Sequence, residues 1–171
     1  MSRISIREQI FNFMALFLIQ LPLLYRITLG DRVFGFFYIG FLVLIPFRIS
    51  RPYLLLAGFF SGLLVDAFSN TPGIHAGACV LTMYIRDLWL KIVIDDTEEL
   101  TNLNHISLKK TGLLLYAFPL VLIHHLIIFL VENGGLHLFG MLISKTILSS
   151  LFSFTIIFVL NYLIVPKPRR T

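Results

Sequence analysis

An aspartate, a histidine pair and a lysine stand inside long apolar runs of this 171-residue chain. Asp66 falls in GLLVDAFSNTPGIHA, from Gly62 to Ala76. His124 and His125 fall in VLIHHLIIFL, and Lys145 opens a series with Ser149 and Ser153 at four-residue spacing. Such groups could form a buried ion pair, pass protons, ligate a metal, or fasten one helix to another. A charge at the centre of a membrane helix costs about 2.5 kcal/mol or more on insertion scales, so each is expected to have a partner or a task. Asp66 also lies near the end of its run, within reach of headgroups.

Metal chemistry is disfavoured. Successive residues of a helix point about 100° apart, so His124 and His125 cannot face one ligand. A zinc-type site would need further His, Cys or carboxylate ligands at suitable spacing, and none is evident. One histidine is expected to hydrogen-bond across the bundle interior, the other to face a neighbouring helix or a partner. There is no nucleophile–base–orienter set, phosphate loop or HExxH motif, so neither an enzyme nor a cofactor is expected. Glu132-Asn133-Gly134-Gly135 reads as an external turn.

Gly58, Gly62 and Asp66 share one helix face at four-residue spacing, beside a parallel Ala57–Ser61 pair. Small residues four apart let membrane helices approach closely. The short turn from Ser69 to Gly73 predicts an antiparallel helical hairpin. Pro72 suits the first turn of the next helix, and Ser69, Asn70 or Thr71 could cap it. The positive end of that helix would lie near Asp66. These features leave Asp66 as either a hairpin fastener or a partner contact. Lys145 is about 12 Å deep, at 1.5 Å per residue. An Asp66–Lys145 ion pair is one expectation; snorkelling of Lys145 to the surface is the other.

The elements that must position these groups are membrane helices. Hydrophobic residues make up 57% of the chain and charged ones 13%, which leaves no stretch for a soluble domain. Residues 1–171 are expected to form a single transmembrane domain, an all-α bundle of six helices. The spans run from about Ile10 to Leu24, Val33 to Phe47, Tyr53 to Phe68, Ile74 to Val93, Leu113 to Val131, and Leu138 to Val165. A crossing takes about 20 apolar residues, so the first two are short. Pro22 is expected to bend the first helix and Pro46 to close the second. Arg3 and Arg7 precede an apolar run, but no small-residue cleavage site follows, so that run is expected to be retained. The one cysteine, Cys79, excludes an intrachain disulfide and suits a packed position among small residues.

With six spans, 11 of the 14 lysines and arginines fall on one side: Arg3, Arg7, Arg48, Arg51, Arg86, Lys91, Lys109, Lys110, Lys167, Arg169 and Arg170. Arg26 and Arg32 fall on the other. The positive-inside rule then places both termini in the cytoplasm. The basic residues meet headgroups, and no nucleic acid is implied. Residues 95–110 form a charged cytoplasmic loop, a solvated segment or a docking site. Just before it, the segment from Arg86 to Lys91 reads as the end of the fourth helix emerging into the interface, where Trp89 and Lys91 anchor.

These residues resemble the MreD family of rod shape-determining membrane proteins over nearly the whole chain. Gly62, Asp66, Pro72 and Gly73 carry the resemblance, with a small-residue helix start after them. Ile19-Gln20-Leu21, the His-His pair and the basic residue of the sixth span also look like this family; His124 and Lys145 match more loosely. The resemblance implies a non-enzymatic scaffold of the cell-elongation, peptidoglycan-synthesising machinery in the bacterial inner membrane. It implies a bitopic MreC-like partner, and links to MreB filaments, RodA and a class B penicillin-binding protein. It further implies a bundle similar to the substrate-binding component of energy-coupling-factor transporters. A small-molecule-binding subunit of such a transporter is therefore the alternative function. Those components resemble one another in small residues four apart on the first helix. Here Ala15 is flanked at that spacing by Phe11 and Ile19, which favours the scaffold. A lipid flippase or intramembrane enzyme lacks any supporting motif.

Overall fold

The computed structural model describes residues 28–29, 32–45, 47, 49–93 and 110–164. The expected first span, with Ala15, and nearly all of the 95–110 loop lie outside the described residues. Strands β1 (Thr28–Leu29) and β2 (Val33–Phe34) form a small antiparallel hairpin. Helix α1 (Ile39–Val43) follows, then α2 (Arg51–Ser69), α3 (Ile74–Val93), α4 (Lys110–Glu132) and α5 (Phe139–Ile164). The last four coincide closely with the expected third to sixth spans.

Among the described residues, three helices are long and apolar enough to cross a membrane: Arg51–Ser69, Gly112–Glu132 and Phe139–Leu160. The chain is thus a mostly helical membrane protein. Helix α3 has 20 residues but carries Arg86, Asp87 and Lys91. The long helices form a row, α2 on α3, α3 on α4 and α4 on α5. The stretch from Val33 to Ile45 lies against this row: β2 touches α5, and α1 touches α2, α3 and α4.

That stretch corrects the expectation of a second helical span from Val33 to Phe47. Only five of its residues form an α-helix. The run VFGFFYIGFLVLIP is aromatic and β-branched, with Gly35 and Gly40 inside it, and so short an apolar run does not distinguish strand from helix by periodicity. Packing decides. Tyr38, Ile39, Leu42, Val43 and Leu44 are at most 1% exposed, so the broken backbone is enclosed by protein, the condition for irregular backbone at membrane depth. Gly40 packs so tightly on α5 that a Cβ there would stand 2.7 Å from Ile157.

Helix α2 starts after an extended Ser50, with Pro52 in its first turn, and stops at Asn70, whose φ of 51° is left-handed. Its inward stripe is Leu54, Gly58, Ser61, Gly62, Val65 and Asp66. A Cβ on Gly62 would come within 2.5 Å of the backbone of His75 and Ala76, so only glycine allows this approach. Gly58 lies less tightly over α3: a Cβ there would stand 3.0 Å from the Met83 side chain and 3.3 Å from the Cys79 carbonyl.

Candidate functional site

Asp66 is 3% exposed and sits where α2 meets the start of α3. Its Oδ1 accepts from the Thr71 hydroxyl at 3.0 Å and the His75 N–H at 2.9 Å. Its Oδ2 accepts from the N–H groups of Gly73 at 3.1 Å and Ala76 at 2.9 Å. These donors fill the lone-pair directions of a carboxylate, and three of them are amides at an uncapped helix start. Asp66 thus ties the end of α2 to the turn and the start of α3. It also caps α3 in place of Ser69, Asn70 or Thr71. Pro72 is exposed and precedes the helix, while Gly73 adopts a left-handed φ of 85° that turns its N–H to Asp66.

The second centre joins three elements. The Tyr38 hydroxyl lies 2.7 Å from Nδ1 of His75 on α3 and 2.9 Å from Nε2 of His124 on α4. Cys79 Sγ is 3.7 Å from the same His124 nitrogen. A phenol has one proton, so Tyr38 donates to one imidazole and accepts from the other. His125 reaches the Val121 carbonyl at 2.8 Å and the Ser153 hydroxyl at 3.0 Å. Both histidines are fully buried, as are Ser149 and Ser153. Ser149 accepts from the Phe34 N–H at 3.0 Å, and the Ser153 hydroxyl, whose one proton is shared with His125, also lies 3.4 Å from the Phe34 carbonyl. The four-residue serine spacing thus serves the open backbone of β2. Asp66 and His124 are linked through His75 and Tyr38. Among the described residues no group of three His, Cys, Asp or Glu could hold a metal.

Lys145 belongs elsewhere. It pairs with Glu132 at 3.4 Å, and its ammonium lies 4.5 and 4.3 Å from the ring centres of Phe34 and Phe129. The expected Asp66–Lys145 pair does not form. Asp66 spends its oxygens on the hairpin, and Glu132 stands one α4 terminus away from Lys145 with its side chain 31% exposed.

Arg86 is the residue that sequence reasoning misplaces. Expected where the fourth helix emerges into the interface, it is instead completely buried. Its Nε donates to the Tyr116 hydroxyl at 2.7 Å, which in turn donates to the Val43 carbonyl at 2.8 Å. Its Nη2 donates to the Ile45 carbonyl. A short helix leaves its last carbonyls unpaired, and Arg86 with Tyr116 satisfies those of α1 and the turn after it. Trp89 is likewise more than an anchor. Pro119 has no N–H to offer the Leu115 carbonyl four residues back; the Trp89 indole donates there at 3.3 Å and to the Tyr116 carbonyl at 3.2 Å.

Sequence reasoning also passes over Tyr38, His75 and Tyr116. The hints that the chain does carry are an arginine more than a turn before the end of α3 and a histidine in its first turn. No family model, curated protein or solved structure matches the chain.

Proposed function

We propose that the chain is a non-enzymatic membrane scaffold of the bacterial cell-elongation machinery, binding the transmembrane and juxtamembrane part of an MreC-like bitopic partner. The observation that carries this reading is the outward face of α2. Among the four long helices described, α2 is an end member of the row and packs chiefly on α3. Tyr53, Leu56, Phe60, Leu63 and Leu64 stay 43–70% exposed along it. Their spacing of three and four residues makes a continuous seam of the kind one helix offers another. Gly62, Asp66 and Gly73, which carry the MreD resemblance, hold the hairpin that orients this face.

In this reading the chain lies in the inner membrane and crosses six times, as a bundle resembling the substrate-binding component of energy-coupling-factor transporters. The second crossing is the discontinuous Val33–Ile45 stretch. Arg51, Lys91 and Lys110 stand at the same end of the helix row, which supports placing that end and both termini in the cytoplasm. MreB filaments, RodA and the class B penicillin-binding protein would be reached through the assembly.

The second reading, a small-molecule-binding subunit of such a transporter, draws on the same broken stretch, because interrupted segments line substrate sites in transporters. A photo-crosslinking residue at Phe60, with Leu148 as the control, separates the two. The tagged protein is crosslinked in native membranes, recovered in mild detergent and its adducts identified by mass spectrometry. A single-pass periplasmic coiled-coil protein joined at position 60, with wall-synthesis enzymes co-recovered, supports the scaffold. A coupling subunit with its ATPases would sink it.

A further inference from the structure

We propose that the seam between α4 and α5 carries a file of water from the Glu132–Lys145 end of the bundle to the His124–Tyr38–Cys79 cluster. Helix α5 turns an unbroken hydroxyl face inward, Thr146, Ser149, Ser150 and Ser153, none more than 3% exposed. Ser149 and Ser153 bind the Phe34 backbone, but Thr146 Oγ1 and Ser150 Oγ have no hydrogen-bond partner, and neither has Nδ1 of His124 across the seam. Two threonines among the described residues behave differently. Thr82 and Thr155 donate to the carbonyls of Ala78 and Leu151, one turn back. A buried polar atom without a partner is costly, and alanine or valine would fill the same space without that cost.

The register makes the unpartnered atoms a path. The Lys145–Glu132 pair and the Ser153–His125 bond, 3.4 and 3.0 Å, set α5 antiparallel to α4. Thr146 therefore lies level with the end of α4, where the Glu132 and Lys145 side chains are 31% and 29% exposed. Ser150 lies about 6 Å deeper and Ser153 about 4.5 Å beyond it, at 1.5 Å per residue. One water bridges hydroxyls about 5.6 Å apart through two bonds of about 2.8 Å. A buried water needs two to four polar partners; the free atoms of Thr146, Ser150 and His124, with the remaining capacity of Ser149 and Ser153, are the partners we assign to it. At the inner end, a bare Nδ1 on His124 accepts from water while its Nε2–H meets Tyr38.

Cys79 reports on the path, since its thiol lies 3.7 Å from His124 Nε2 and is the only one in the chain. In deuterium oxide its S–H band shifts as one proton leaves and one deuteron replaces it, with no net change of charge. The full-length protein in lipid nanodiscs is transferred to deuterium oxide and followed by infrared spectroscopy. Exchange is expected within minutes in the parent. In Thr146→Val/Ser150→Ala it is expected to slow about tenfold, the factor for one net hydrogen bond. Thr146→Ser should retain the parent rate, as should Thr155→Val, which removes a hydroxyl outside the seam. A thiol that does not exchange over days in the parent would overturn the proposal, and so would equal rates in the parent and the folded double variant.

Discussion

Replacing Asp66 with asparagine keeps the side chain's size and changes only its hydrogen-bonding sense. The amide oxygen can still accept from Thr71 and His75, but the amide nitrogen then points two N–H groups at the N–H groups of Gly73 and Ala76. Gly73 is exposed and can turn to water. Ala76 is 4% exposed and cannot. One stranded amide costs about 1–3 kcal/mol and a lost charge-assisted bond about 1.5–3 kcal/mol, so roughly 3–5 kcal/mol is expected. On the scale of soluble chains of this size, about 2–4 °C per kcal/mol, the melting temperature should fall by about 10 °C. Thermal unfolding of the purified protein in one fixed detergent, read by tryptophan fluorescence or aggregation onset, measures it without any partner present. Asp66→Leu strands all four donors and should fall further. If Asp66→Asn melted within about 2 °C of the parent yet lost its partner in pull-downs, Asp66 would be a partner contact and the fastener reasoning would be wrong.

Gly62→Ala should lower the melting temperature measurably because its methyl meets backbone, whereas Gly77→Ala, with nothing within 4 Å, should be neutral or slightly stabilising. Arg86→Leu should cost about 3–5 kcal/mol, since it removes two hydrogen bonds from a charged donor at about 1.5–3 kcal/mol each, and Tyr116→Phe distinctly less, both read by denaturant titration in mixed micelles. Arg86→Lys should not restore stability, since a single ammonium cannot span Tyr116 and the Ile45 carbonyl as the guanidinium does. Trp89→Phe should cost about 1 kcal/mol in the parent and less in a Pro119→Ala background, where the new N–H can serve the Leu115 carbonyl; a double-mutant cycle with zero coupling would refute the link.

The helices at 51–69, 74–93, 110–132 and 139–164 are legible in the amino-acid sequence. Long apolar runs can satisfy their backbone in hydrocarbon only by hydrogen-bonding within themselves, so composition suffices to find them. The α2–α3 hairpin is legible for a local reason as well. Gly58, Gly62, Asp66 and the turn lie within one stretch of chain, and helical periodicity places them on one face. Sequence alone leaves open what Asp66 does there.

Groups whose partners lie far along the chain are not legible. Lys145 has a carboxylate 13 positions before it and another 79 before it; only the packing of α4 on α5 selects Glu132. Tyr38 meets His75 and His124, 37 and 86 positions away. Val33 to Phe47 reads as a short span because its residues are apolar, and apolarity is equally what an enclosed, broken segment needs. The segment stays broken because Ser149, Ser153, Arg86 and Tyr116 supply its missing backbone partners. Local periodicity is a property of the chain and sets where helices form. The pairing of buried polar groups depends on which helices become neighbours, and the tertiary structure alone decides that.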